Sequence, residues 1–287
     1  MPEQARTRAD ALARAGLPPV AERAAYERQV ADLRVREKAH TREADAIAAS
    51  RRRLPMVEVD GGLALLGPTG PTTLLEVFEG RRQLVAYYFM WWPGRPAEDQ
   101  CEGCTYYTSQ VSELSALHSR DITYAVLVQG RNTAYGPADA QTSYDESRRY
   151  RDFMGWSMPW YSAQPSLEQL LPGRELGLFH LVSYVRDGDR VFETYWTMRR
   201  GVQAMDYNYA LMDLAVWGRQ EAWEDSPPGW PQGCTNVRTD SGDPEWRPAA
   251  EWRGRPVGQW TALDAGRSDD LGGARSEHSA PPPSGCH

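Results

Sequence analysis

The stretch Leu84-Val-Ala-Tyr-Tyr-Phe-Met-Trp-Trp92, then a loop over Pro93 to Gln100, then Cys101-Glu-Gly-Cys104, decides the reading of the fold. A continuous apolar run of this length, rich in aromatics, suits a central strand buried on both faces. After the cysteines, Tyr107, Val111, Leu114 and Leu117 recur at helical spacing, predicting an amphipathic helix that starts at or near Cys101. Ile122 to Gln129 reads as a second buried strand. The order is strand, Cys-x-x-Cys helix, strand. A helix start offers unpaired backbone N–H groups and a positive dipole end, both of which stabilise a thiolate at Cys101. Cys104 stands one turn later, placed to attack a mixed disulfide at Cys101 and release its substrate. Glu102, between the two cysteines and read as solvated, adds negative charge and favours a less acidic, more reducing thiol.

Further along, Thr142 to Met154 reads as a helix with Gly155 at its end. Leu178 to Val185 and Arg190 to Tyr195 read as strands joined by Arg186-Asp187-Gly188-Asp189, since Asp-Gly between β-type runs is a hairpin signal. Asp206 to Trp217 suits a closing helix. His118 and Asp121 read as residues that cap or turn the chain. Upstream, Gly61-Gly62 and the Gly67-Pro68 to Gly70-Pro71 segment read as turns. Between Pro19 and Arg53 the residues Tyr26, Val30, Leu33, Glu37, His40, Ala44 and Ile47 alternate at steps of four and three, one face of a long helix stopped by Leu54-Pro55. Glu37 and His40 interrupt that stripe, so the face suits a domain edge or a partner subunit and is a candidate route to a homodimer.

The organisation expected is a helical extension over 1–55, an α/β domain over 56–225, and an irregular Pro/Gly/Trp-rich tail over 226–287, disordered from Asp264 on. Cys234 and Cys286 fall in that tail and read as free thiols. The chain has 287 residues, 41% of them apolar, enough for one sizeable core. A net charge of −7 makes no electrostatic case for nucleic acid. Lys38 is the only lysine. There is no apolar run of membrane-spanning length and no apolar core of a signal peptide near Met1, so the expectation is a cytoplasmic protein without a membrane partner. Four cysteines are too few for a disulfide scaffold in a chain this long.

With these residues in hand, the sequence resembles a bacterial thioredoxin-like family catalogued as a domain of unknown function, whose members are labelled predicted dithiol-disulfide oxidoreductases. The resemblance lies in Arg52-Arg53-Leu54-Pro55-Met56-Val57, in Leu75-Glu-Val-Phe-Glu-Gly-Arg-Arg-Gln-Leu84 running into Tyr87-Tyr-Phe-Met90, and in Cys101-Glu-Gly-Cys-Thr105. It continues in His118-Ser-Arg-Asp-Ile-Thr123, Met154-Gly-Trp-Ser-Met-Pro-Trp160, Asp206-Tyr-Asn-Tyr209, and Gly218-Arg-Gln-Glu-Ala-Trp-Glu-Asp-Ser226 up to Gln232. It implies a thioredoxin-like α/β fold, a central mixed sheet flanked by helices, and a redox dithiol of Cys101 and Cys104, and little about substrate; the expectation is an oxidoreductase that needs no organic cofactor and acts on a small-molecule or protein disulfide or thiol.

Two positions depart from thioredoxins. Gln100 stands where a tryptophan precedes the first cysteine, and no proline occupies Leu178 to His180, where a cis-proline faces the dithiol. A second reading therefore places His180 beside Cys101 and Cys104 as a copper or zinc site. A third is a thiol peroxidase or a non-catalytic binding module. The residues Trp91, Trp92, Trp156, Trp160 and Trp196, with Leu178 and Phe179, are candidates for lining a ligand cleft near the dithiol.

Overall fold

A computed structural model of the chain describes residues 16–95, 97, 100–130, 139–221 and 223–231. The expectations for Cys234, Cys286 and the tail beyond residue 231 lie outside the described residues. The two long apolar runs become β4 (Gln83–Phe89) and β5 (Ile122–Val128), which pair in parallel. Parallel pairing requires a crossover. Here the crossover carries α3 (Glu102–Ser109) and α4 (Ser115–His118). The chain continues through α5 (Ala140–Met154) to β6 (Trp160–Ser162), parallel to β5. It then passes α6 (Leu167–Leu170) and enters the hairpin of β7 (His180–Asp187) and β8 (Arg190–Met198). Gly188, at φ +60°, takes the left-handed turn that the Asp-Gly pair announced. β7 pairs antiparallel with β4. The closing helix α7 (Tyr207–Asp213) is shorter than expected, capped at its start by Asp206, whose carboxylate accepts the Tyr209 N–H at 3.0 Å.

The segment read as turns before β4 holds three short strands, β1 (Val57–Val59), β2 (Ala64–Gly67) and β3 (Gly70–Thr73), and one helical turn, α2 (Leu74–Val77). They complete an eight-stranded sheet in the order β1-β8-β7-β4-β5-β6-β2-β3. Thr73 and Glu76 form a capping box at the start of α2, a short-range pattern visible in the sequence but not used there.

One helix expectation is corrected. The apolar spacing from Tyr107 to Leu117 predicted a single helix, but α3 ends at Ser109 and a second turn begins at Ser115. Gln110 caps the helix at the break. Its side chain donates back to the Tyr106 carbonyl at 3.4 Å and accepts the Asn208 N–H at the start of α7 at 2.9 Å. Val111, Leu114 and Leu117 still pack against the core on the α3 side, so the face persists although the helix does not.

Strand alternation divides the core. Tyr87 and Phe89 of β4, with Tyr124, Val126 and Val128 of β5, face α3 and α5. Leu84, Ala86 and Tyr88, with Ala125 and Leu127, face the other way, against α2, α6, Val182 and Tyr184. The N-terminal helix α1 (Arg23–Arg51) buries none of its 29 residues. Among the described residues, no helix is long and apolar enough to cross a membrane.

Candidate active site

Cys101 is the residue that caps α3. Its sulfur accepts the Cys104 N–H at 3.4 Å, and its carbonyl accepts both the Thr105 N–H at 3.0 Å and the Thr105 hydroxyl at 2.8 Å. The helix therefore starts at this cysteine because Cys101 itself satisfies the first turn. Cys104 points inward and accepts the Met90 N–H at 3.4 Å, which ties the end of β4 to the helix. Cys101 Sγ stands 3.9 Å from Met90 Sδ. Both cysteines are free thiols. Cys101 is 9% exposed and Cys104 0%, so both are buried and Cys101 lies nearer the surface.

The loop that delivers Cys101 is clasped at two points. Gln100, in the place of the tryptophan of thioredoxins, is buried. Its amide donates to the carbonyls of Trp92 and Arg95 at 2.9 and 3.1 Å and accepts the Trp92 N–H at 3.2 Å. From α5, the Glu146 carboxylate accepts the Gly94 N–H at 2.8 Å.

The electrostatics differ from a simple helix-dipole picture. The hydrogen bond that the Cys101 thiol gives to the Cys104 sulfur, together with burial, pushes the Cys101 thiol well up. Glu102 adds in the same direction, and only the Cys104 N–H pulls the other way. Glu102 was expected to be solvated; it is buried, so its charge is screened less than at the surface. Beneath the pair lie three tyrosines, Tyr87, Tyr124 and Tyr150. Tyr150 shares a 2.7 Å hydrogen bond with Thr105. Tyr87 and Tyr124 bring buried hydroxyls that make no aligned hydrogen bond. Burial pushes the Tyr87 phenol well up, and negative charge on Cys104 and then Cys101 adds to it, which places this hydroxyl in the field of the dithiol. Strand parity could have found Tyr87 and Tyr124, since both share the face of their strands that looks onto α3.

Of the residues proposed for a cleft, Trp92, Trp156 and Phe179 are half-buried and pack around the dithiol core. Trp91 and Trp160 are core residues instead: Trp91 packs on Tyr150 at 5.4 Å, and Trp160 stacks on Trp156 at 5.6 Å while donating to Ser147. Their rings are consumed by packing and present no surface to a ligand. Leu178 contributes its carbonyl, which accepts from Gln129 at 2.6 Å and from His180 Nδ1 at 2.8 Å.

The copper or zinc trio is corrected. His180 pairs with Tyr88 across β7 and β4, so it lies on the sheet face opposite Cys101 and Cys104. It packs near Trp196, at 6.0 Å between ring centres, and burial holds its imidazole below the usual histidine range. Among the described residues, no three His, Cys, Asp or Glu side chains come together as a metal site. His118 and Asp121 do turn the chain, with Asp121 at φ +60° donating its N–H to the His118 carbonyl at 3.0 Å.

A parallel β-α-β unit whose helix opens on Cys-x-x-Cys, followed on the same sheet by an antiparallel hairpin and a closing helix, defines a thioredoxin-like fold. Residues 15–240 match the family described as "Bacterial protein of unknown function (DUF899)", and the chain belongs to that family. No curated protein matches it. Among solved structures it is similar to a thioredoxin-like protein from Aeropyrum pernix, at 14% identity over 58% of this chain and 95% of that one, with a TM-score of 0.33. It is also similar to a cysteine-to-serine mutant of peroxiredoxin Q from Xanthomonas campestris, at 13% identity over 56% and 97% of the two chains, with a TM-score of 0.35. A thioredoxin from Wuchereria bancrofti gives 11% identity over 56% and 97%, with a TM-score of 0.32.

Proposed function

We propose that the protein is a thiol-disulfide oxidoreductase in which Cys101 is the nucleophile and Cys104 the resolving thiol. The observation that carries this reading is the asymmetry of the pair at the start of α3. Cys101 lies nearer the surface and accepts the Cys104 N–H, and Cys104 lies one turn deeper. Cys101, once deprotonated, attacks one sulfur of a substrate disulfide and expels the other as a thiolate. The Cys104 thiolate then attacks Cys101 Sγ and expels the first substrate sulfur. Two electrons and two protons pass from the dithiol to the substrate, leaving a Cys101–Cys104 disulfide. The raised Cys101 thiol favours the reduced, protonated state of the pair, so exchange accelerates as pH rises above neutrality. The substrate is a small-molecule or protein disulfide that Trp92, Trp156 and Phe179 would meet at the entrance.

Mild oxidation followed by non-reducing peptide mapping tests this. The expected result is one disulfide joining Cys101 to Cys104. Cys104→Ser is expected to trap glutathione as a mixed disulfide on Cys101, and Cys101→Ser to lose reactivity with disulfides. Failure of wild-type protein to form the Cys101–Cys104 bond, or trapping on Cys104 in preference to Cys101, overturns the assignment.

A further inference from the structure

Helix α1 is pinned at both ends and empty in between. Upstream, Gly16 donates its N–H to the Gly229 carbonyl at 3.1 Å and accepts from Trp217 Nε1 at 3.0 Å. Downstream, Arg51 stacks on Tyr195 at 5.0 Å. Between these points the chain itself buries no residue of the helix. A helix ordinarily draws its stability from packing an apolar face, and this one leaves Tyr26, Leu33 and Ile47 about half exposed.

The stripe has a strict seven-residue period. Val30, Glu37 and Ala44 take heptad position a, and Tyr26, Leu33, His40 and Ile47 take position d. That period is the seam of a two-stranded coiled coil, not the broader stripe of a helix lying on a sheet. We propose that α1 pairs with α1 of a second copy of the chain as an antiparallel coiled coil centred on Glu37 and His40. Setting Glu37 opposite His40 of the second copy brings the inner layers into register and leaves Tyr26 opposite Arg51 at each end. Leu33 meets Ala44, and Val30 meets Ile47, each contact occurring twice about the two-fold axis. The polar residues that interrupt the stripe thus face each other as carboxylate and imidazole. A polar layer of this kind costs stability and selects one register over its neighbours.

The flanking charges agree. In an antiparallel pair the two g positions meet across the seam. In this register Arg36 meets Glu43 of the second copy, again twice, and Gln29 meets Ser50. A parallel pair would set Arg36 opposite Thr41 and lose the complementarity. Val35 takes the outermost position and is 70% exposed against 48% for Leu33, so it serves as a control on the same helix.

Sedimentation equilibrium of the full-length chain tests the pairing, with circular dichroism confirming that each variant keeps its helix. Wild type is expected to be a dimer. Leu33→Asp is expected to weaken it at least about tenfold, the cost of burying an unpaired charge, while Val35→Asp leaves it unchanged. Arg36→Glu is expected to weaken the dimer, and adding Glu43→Arg to restore it. A monomeric wild type, a dimer insensitive to Leu33→Asp, or a charge swap that does not restore the dimer each overturns the proposal.

Discussion

Tyr87 and Tyr88 are adjacent in β4, identical in type and fully buried, yet they end in opposite surroundings. Tyr88 turns away from the dithiol and shares a 2.8 Å hydrogen bond with Tyr184. Beside this pair the buried Arg174 forms a salt bridge with Glu193 and lays its guanidinium over Trp196 at 4.6 Å. That face pairs its tyrosine hydroxyls and its ion pair, while Arg174 Nη1 and His180 Nε2 are buried there without an aligned partner. Tyr87 turns toward α3, where its hydroxyl, that of Tyr124 and the indole N–H of Trp91 are buried without an aligned partner. Leaving a buried donor unmet costs about 1–3 kcal/mol. On one face of the sheet the buried tyrosine hydroxyls of neighbouring strands satisfy each other. On the other, the hydroxyls of Tyr87 and Tyr124 and the indole N–H of Trp91 lie in the core that holds Cys101 and Cys104.

Several measurements can break or sharpen that contrast, and alkaline titration has the largest expected effect. Burial holds the phenols of Tyr87, Tyr88, Tyr124, Tyr150 and Tyr184 above their ordinary range in the folded chain. Above about pH 10 the unfolded chain releases phenolic protons that the folded chain keeps, so stability falls as pH rises. Each such tyrosine contributes a loss of about 1.4 kcal/mol per pH unit. Urea melts between about pH 9 and about pH 11, with a further rise in tyrosinate absorbance from these five residues on unfolding, are the expected signature. Ionisation of these residues in the folded protein would count against it.

Arg174→Ala comes next. It strands the Glu193 carboxylate in a nearly buried position and removes the stack on Trp196, for an expected loss of about 3 kcal/mol. Tyr184→Phe leaves the Tyr88 hydroxyl unmet and should cost about 1–3 kcal/mol by the same melts, with Tyr88→Phe/Tyr184→Phe costing less than the sum of the two single changes. Tyr87→Phe, the equivalent deletion on the dithiol face, removes a hydroxyl that has no aligned partner to lose. It should not destabilise the protein and should gain up to about 1–3 kcal/mol, while alkylation of the reduced pair slows because a hydroxyl near the sulfurs is gone. Equal stability losses for Tyr184→Phe and Tyr87→Phe would erase the distinction between the faces.

Much of this architecture was legible beforehand for local reasons. The β4 and β5 runs, the Asp-Gly hairpin and the Gly155 stop are carried by neighbouring residues, and the structure reproduces them to within a few positions. The helix start at Cys101 follows from the same local logic. The three short strands before β4 were missed because each is only three or four residues long and acquires its pairing from distant partners, such as Val57 opposite Glu193. The break after Ser109 was missed because the partner of Gln110, Asn208, is nearly a hundred residues away in sequence. The failure at His180 is of another kind. Its proximity to the dithiol was inferred from its place before the hairpin, but in a strand one residue of offset moves a side chain to the opposite face.

From its own residues the chain determined the Cys-x-x-Cys at a strand-to-helix junction, the buried strands around it, and the seven-residue period of the N-terminal helix. These depend on spacing and local chemistry, which a linear string preserves. Only the tertiary structure decided that Cys101 lies nearer the surface than the fully buried Cys104, that Glu102 is buried beside them, and that Tyr87 lies on the side of the pair while Tyr88 does not. Only it separated His180 from the cysteines. Burial and sheet face are set by what packs against a residue from elsewhere in the chain. The dithiol was therefore readable from sequence, whereas the surroundings that tune it were not.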